Sequence, residues 1–350
     1  MASLANVVGV ARSTVGAYLA AFGRALVSPL RPADSPSFYK DVTFAKFRTF
    51  HTLSNSSQEQ WLFPSTDATY LQVAQERGFN PDSIDLPYDS RAHWIGPRSS
   101  DKIFIFFHGG GYGLPCSAGH LHWLVDLTHS LQSQGHSIST VLLSYSLAPG
   151  APYPTQLEQA CALLRHLLEI EHRAPSDLLV GGDSAGGNLT LALLSHLLHP
   201  HPDVEPLALS EPLAAALLIS PWVSFSLDWR SVDANVLKDV IAVPLLVRMA
   251  AQFMGGAPPD AYNQAVLAPK GWFEGSEGVV RRVWVYGGRW ELLMDSIEKV
   301  AGLLAEGHGD VRVVVQEDGV HEDMITDRQL GYTHKAKGTV WVEDFIKEVC

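Results

Sequence analysis

Apolar positions follow two different rhythms along this chain. Between Leu4 and Leu26 they return every three or four residues (Leu4, Val8, Ala11, Val15, Leu19, Phe22, Leu26), with Ser13 and Arg24 opposite. That spacing predicts a long amphipathic helix whose stripe seeks an apolar surface. From residue 102 onward, short unbroken apolar runs alternate with helix-length patterns. Lys102 to Phe107 (KIFIFF) reads as a strand buried on both faces, and Leu121, Leu124, Leu127 and Leu131 mark the helix after it. The same alternation gives a strand at Thr140 to Ser144, a helix through Leu157, Cys161, Leu164 and Leu168, and a strand at Asp177 to Gly181. It continues with a helix at Leu189 to Leu198 and strands at Ala214 to Ser220, Val283 to Tyr286 and Val311 to Gln316. Strands separated by helices pair in parallel through right-handed crossovers, so the expected fold is α/β, a doubly wound sheet covered on both faces.

Two stretches depart from that rhythm. Residues 31 to 100 are broken by Pro, Ser and Asp and offer strand candidates only around Val42 to Phe50 and Asp82 to Pro87. Between Trp222 and Tyr262 the spacing is helical (Val236, Val240, Val243, Leu246, Met249, Phe253) and the next strand waits until Val283. An insertion after a strand covers the carboxyl end of the sheet, where open α/β sheets bind ligands. The expected division is an N-terminal helix and cap segment over residues 1–60 and a catalytic domain over 61–350, with a cap inserted at about 222–262.

Composition narrows the partners. A net charge of -12 without a Lys/Arg cluster argues against nucleic acid. Three cysteines (Cys116, Cys161, Cys350) lie in no paired spacing, which fits a disulfide-independent fold or a reducing compartment. Fifteen histidines form no metal-ligand spacing, so no metal is expected. Arg12 and Arg24 interrupt the first apolar helix, leaving it short of the roughly 20 residues of a membrane span, and without a positive n-region and a cleavable apolar core it is not expected to be a secretory signal. The helix is therefore expected to lie over the core or the site mouth, or to make a peripheral membrane contact. The expected location is intracellular, cytoplasmic or at a membrane surface; the oligomeric state is not legible.

Chemistry enters at two glycine-rich turns. After the strand at Asp177 comes Gly182-Asp183-Ser184-Ala185-Gly186-Gly187 and then a helix. That is the strand, sharp turn and helix of a G-x-S-x-G elbow, where small neighbours let Ser184 project its hydroxyl. Directly after KIFIFF comes His108-Gly109-Gly110-Gly111-Tyr112, whose glycines can turn N–H groups toward a carbonyl oxygen. Gly110, Gly111 and the N–H of Ala185 are the expected oxyanion donors. His108 is expected to hold the loop rather than act as a base.

Together with Tyr145-Ser146-Leu147-Ala148-Pro149, Tyr153-Pro154 and Ser220-Pro221-Trp222, these motifs resemble the hormone-sensitive-lipase-like group of α/β hydrolases over roughly residues 102 to 345, leaning toward the fungal branch of steryl acetyl hydrolases and biosynthetic esterases. The resemblance implies an eight-stranded, mostly parallel sheet, a helical cap, no cofactor, and esterase activity on a small-molecule acyl ester. In such enzymes the triad runs Ser, acid, His. His321, after the last strand and Asp318-Gly319-Val320, fits the base, with His334 as the later alternative. Where the family usually carries Asp-Pro-Leu-x-Asp, this chain departs and places Glu291, with Asp295 one helical turn on. Glu291 can orient an imidazole as Asp does. Tyr112, Trp222, Phe225 and Trp229 are the expected pocket residues. The rival readings are amide or formamide hydrolysis, acyl transfer or a biosynthetic cyclisation on the same triad, and a non-catalytic small-molecule receptor.

Overall fold

Eight strands form one sheet in a computed structural model, which describes residues 4–32 and 34–350. They are β1 (Asp82–Leu86), β2 (Ser90–Ile95), β3 (Lys102–Phe107), β4 (Ile138–Ser144), β5 (Leu178–Asp183), β6 (Ala215–Ile219), β7 (Val283–Gly288) and β8 (Val311–Gln316), in the order β1-β2-β4-β3-β5-β6-β7-β8. The first two pairings are antiparallel and the rest parallel. Strand β3 shows why the apolar runs are unbroken: Ile103, Ile105 and Phe107 enter one core while Phe104 and Phe106 enter the other. Side chains alternate across a strand, so burial on both faces demands apolar residues at every position.

Twelve helices cover the sheet among the described residues. The N-terminal ones are α1 (Leu4–Val27), α2 (Phe38–Leu53), α3 (Ser56–Leu62) and α4 (Thr66–Arg77). Then come α5 (Ala118–Ser133), α6 (Thr155–Arg165), α7 (Ala185–Leu198), α8 (Arg230–Asn235), α9 (Val243–Met254), α10 (Met294–Gly307), α11 (Asp323–Gln329) and α12 (Lys337–Lys347). One core is filled from α6, α7 and α10 (Leu163, Leu193, Ile297), the other from α4, α5 and α12 (Tyr70, Leu124, Phe345). Helices on both faces are the doubly wound arrangement that the sequence predicts.

Three expectations are corrected. Val42 to Phe50 is not a strand but the middle of α2, which opens on the Ser37 side chain accepting from the Lys40 N–H and buries Phe44 and Ala45 on one face. Strand β2 went unread because Arg91 and His93 break its apolar run; His93 is nevertheless buried, held by Asp67 at 2.9 Å and Ser83 at 2.8 Å.

The third correction concerns α1, which forms as expected but packs on its other side. Ser13 and Ala17 are buried against the neighbouring helices, and a Cβ on Gly16 would lie 2.4 Å from Leu53 Cδ1. Small residues let two backbones approach, and Arg24 closes the contact on the buried Asp41 at 2.8 Å. The stripe of large apolar residues faces outward, with Leu19 66% and Phe22 68% exposed. By length and composition the run Leu4–Leu30 is also sufficient to cross a membrane, contrary to expectation, because Arg12 and Arg24 are its only charges. The N-terminal helices are fastened to α9 by Arg248, which pairs with buried Glu59 at 2.7 Å and donates to the His51 carbonyl at 3.0 Å.

Candidate active site

The elbow forms because nothing larger than glycine fits beside it. A Cβ on Gly182 would lie 2.4 Å, and one on Gly186 1.8 Å, from the Phe107 carbonyl oxygen, so β5 and α7 meet β3 without side chains between. Ser184 sits between the strand and the helix at φ 49°, ψ -115°, a positive-φ conformation that non-glycine residues hold only where the surroundings impose it. Its N–H donates to the Ile219 carbonyl at 2.9 Å, and its carbonyl accepts from the Trp222 N–H at 2.9 Å.

Two loops at the carboxyl ends of neighbouring strands meet beside it. After β7, Glu291 is fully buried; its Oε1 accepts from Ser220 Oγ at 2.6 Å and from the Gly288 N–H. After β8, His321 places Nδ1 3.0 Å from Glu291 Oε2. Burial works against the imidazolium, but Glu322 and Glu291 outweigh it and hold His321 well above the ordinary histidine range. Asp295 does not reach this ring: its Oδ2 accepts from the Ser231 N–H at 2.9 Å. His334 lies in the exposed turn before α12, 3.6 Å from Asp327.

The loop after β3 is rigid at one end and open at the other. His108 is fully buried, stacks on Tyr145 at 4.2 Å and places Nδ1 2.7 Å from the Gly109 carbonyl, while burial lowers its pKa to about 3. A neutral, stacked imidazole of that kind holds the loop. Gly110 (φ 103°) and Gly111 (φ 60°) then turn the backbone at positions that L residues rarely adopt.

A cavity of about 590 Å³ opens between the N-terminal helices and the loops of the sheet. Its walls are mostly apolar (Phe47, Phe50, Phe63, Leu114, Leu245), α1 contributes Ala17 and Tyr18, and its polar inner end carries Ser117, His120 and Glu322. None of the four expected pocket residues lines it. Tyr112 is buried in a stack with Phe253 at 3.8 Å, Trp222 is buried against Phe225 at 4.5 Å, and Trp229 binds Ser224 Oγ through its indole N–H. Aromatic residues near the elbow in sequence pack the cap, and the cavity is lined instead from α1, α2 and the chain after Phe107.

Sequence reasoning also missed two acids. Asp239, on the link before α9 and fully buried, accepts from the N–H groups of Leu292 at 2.7 Å, His321 at 3.2 Å and Val240 at 2.7 Å, joining the acid loop to the base loop. No local signal marks it, since the two donors that give it its role come from 53 and 82 residues away. Glu322 directly follows His321, and its position alone could have flagged it. With His120 and Asp183 it has the spacing of a metal site, the ligand atoms within 4.8 Å of one another, although His120 Nε2 and Asp183 Oδ2 already bond each other at 3.0 Å.

Comparison with known proteins agrees with this architecture. A family profile described as alpha/beta hydrolase fold matches residues 104–325. An acetyl-hydrolase of Streptomyces hygroscopicus is 29% identical over 185 residues, 52% of this chain and 57% of its own length. Steryl acetyl hydrolase 1 of Saccharomyces cerevisiae is 23% identical over 126 residues, 36% of this chain and 28% of its own. The chain thus spans about half or less of the length of these curated relatives. The crystal structure of an esterase from the bacterial hormone-sensitive lipase family superposes with a TM-score of 0.62 at 21% identity, covering 99% of both chains. With the profile matched over more than half of its length and the elbow, the glycine loop and the strand order in place, this chain belongs to the α/β-hydrolase-fold family.

Proposed function

We propose that the chain is a serine hydrolase that cleaves a carboxylic ester of an apolar small molecule through an acyl-enzyme on Ser184. The observation that carries this reading is the contact of His321 Nδ1 with Glu291 Oε2 at 3.0 Å beside a strained serine elbow. In this reading His321 takes the Ser184 proton through Nε2 as the oxygen attacks the acyl carbon. The N–H groups of Gly110, Gly111 and Ala185 stabilise the oxyanion, and His321 returns the proton to the leaving alcohol. Water repeats the sequence to free the acid. The apolar cavity supplies room for the alcohol or acyl part, and relatives named acetyl-hydrolase and esterase support a simple acyl ester. Native protein is expected to turn over p-nitrophenyl acetate and to be labelled by a fluorophosphonate. A protein that does neither, while retaining a ligand in the cavity, is a receptor and not a hydrolase.

The outward stripe of α1 supports a peripheral membrane contact. Residues 1–33 contain no acid in a chain of net charge -12, and with Arg24 and Arg31 engaged by Asp41 it is the exposed apolar stripe that suits this helix to a lipid surface. Vesicles containing phosphatidylserine are expected to bind the native protein. Leu19→Glu with Phe22→Glu, both on the exposed face, should weaken binding at least about tenfold, since each buried large apolar side chain contributes roughly 1.5–3 kcal/mol. Equal binding of native and doubly substituted protein would exclude the contact.

A further inference from the structure

Glu322 is a buried acid that the mechanism above leaves unused. Its backbone is held at φ 51°, ψ 40°, and its N–H donates at 3.2 Å to Ser220 Oγ, the same hydroxyl that donates to Glu291. Its Oε1 lies 3.0 Å from His321 Nε2, the nitrogen that must face Ser184 for proton transfer. On its other side stands Asp183, whose Oδ1 is buried and without a hydrogen-bond partner among the described residues. Gly109 makes room for both carboxyls: a Cβ there would lie 2.1 Å from Asp183 Oδ2 and 2.8 Å from Glu322 Oε1. The row continues through His120 Nε2, 3.0 Å from Asp183, to Ser117 Oγ, 2.7 Å from His120 Nδ1, at the inner end of the cavity.

When Glu291 and Glu322 are both ionised, their contacts with the two ring nitrogens put a proton on each, so His321 is an imidazolium while Glu322 stays there as a carboxylate. An imidazolium cannot accept the Ser184 proton. We propose that Glu322 is a positioning residue that competes with Ser184 for His321 Nε2 and frees the base by carrying the Nε2 proton over to Asp183. The balance is internal: the Nε2–H bond breaks, an O–H bond forms on Glu322, and the neutral carboxyl turns to donate to Asp183 Oδ1. His321 is left neutral, still held by Glu291. Burial and the neighbouring Asp183 both favour a protonated Glu322, as two carboxyls this close share one proton. The other titratable groups around the pair, among the described residues, are Glu291 after β7, Asp239 before α9, His120 on α5, His108 and Cys116 after β3, and Tyr145 after β4.

This inference rests on the serine-hydrolase reading, and one experiment separates the two. The second-order rate of fluorophosphonate labelling is measured from pH 5 to 9 for the native chain, Glu322→Leu and Glu322→Gln, with melting temperature as the check on folding. Losing a charge-assisted partner of the imidazolium lowers the pH at which His321 releases its proton. The acid limb of Glu322→Leu should therefore move down by about one pH unit, with labelling at pH 6 rising about tenfold. Glu322→Gln keeps an acceptor on Nε2 but cannot take its proton, so it should label more slowly than Glu322→Leu at every pH. Coincident acid limbs in native and Leu proteins overturn the proposal, as does equal labelling of the Leu and Gln variants. If the Leu variant does not fold, a Gln limb coincident with the native one overturns it. A native protein that is never labelled removes the hydrolase reading itself, which is a different result.

Discussion

Ser184→Ala is expected to lose turnover of p-nitrophenyl acetate by about 10⁶-fold and to lose fluorophosphonate labelling altogether. The size follows from the attack itself: without the hydroxyl there is no acyl-enzyme, and only binding and oxyanion stabilisation remain to accelerate attack by water. The variant should fold, since alanine removes one oxygen and the bonds that hold the turn, from the Ser184 N–H to Ile219 and from Trp222 to the Ser184 carbonyl, are backbone bonds. A melting temperature within a few degrees of native, measured on the same sample, guards against misreading an unfolded protein. Persistent labelling of Ser184→Ala would move the nucleophile elsewhere.

Glu291→Gln is expected to lower kcat by up to about 10⁴-fold with little change in fold. Glu291 accepts from three donors, the His321 ring, the Ser220 hydroxyl and the Gly288 N–H. Glutamine offers one oxygen and an NH₂, so at least one of those donors meets another donor. It also removes the charge that stabilises the imidazolium. Asp295→Asn should cost less than tenfold, because among the described residues that carboxylate accepts from the Ser231 N–H at the start of α8 and not from His321. Glu291→Asp restores the residue usual in the family but withdraws the carboxylate by one methylene, and a displacement of about 1 Å can cost about 100-fold. Abolished turnover in Asp295→Asn with an intact Glu291→Gln would transfer the acid role by one helical turn.

Much of the sheet was legible because β3 to β7 are buried on both faces, which leaves the apolar runs from Lys102 to Tyr286 little freedom to read as anything else. Elements whose apolar runs are broken by polar residues were not. Strand β2 alternates, and α2 offers Val42, Phe44 and Phe47 in a spacing that short windows confuse with a strand. For α1 the period was right and the packing face was not, since close approach of two helices is decided by Gly16 and Ala17 against Leu53 rather than by the larger residues. In the site, Ser184 and the glycine loop announce themselves locally. Glu291 and His321 follow from chain order. Asp239 and Glu322 gain their meaning only when the loops after β7 and β8 close on the cap link and the elbow, a juxtaposition that no window along the chain contains.

Asp239 also decides what kind of cover lies over the proposed site. A single buried carboxylate carries the N–H of Leu292 beside the acid, the N–H of His321 and the N–H that opens the run into α9. A cap that swung clear as a hinged door would strip the Leu292 and His321 bonds together, leaving two orphaned donors in a dry interior at roughly 1–3 kcal/mol each. The segment therefore behaves as a keystone: disturbing it loosens the acid and the base together, and catalytic geometry is lost whenever the vault is opened.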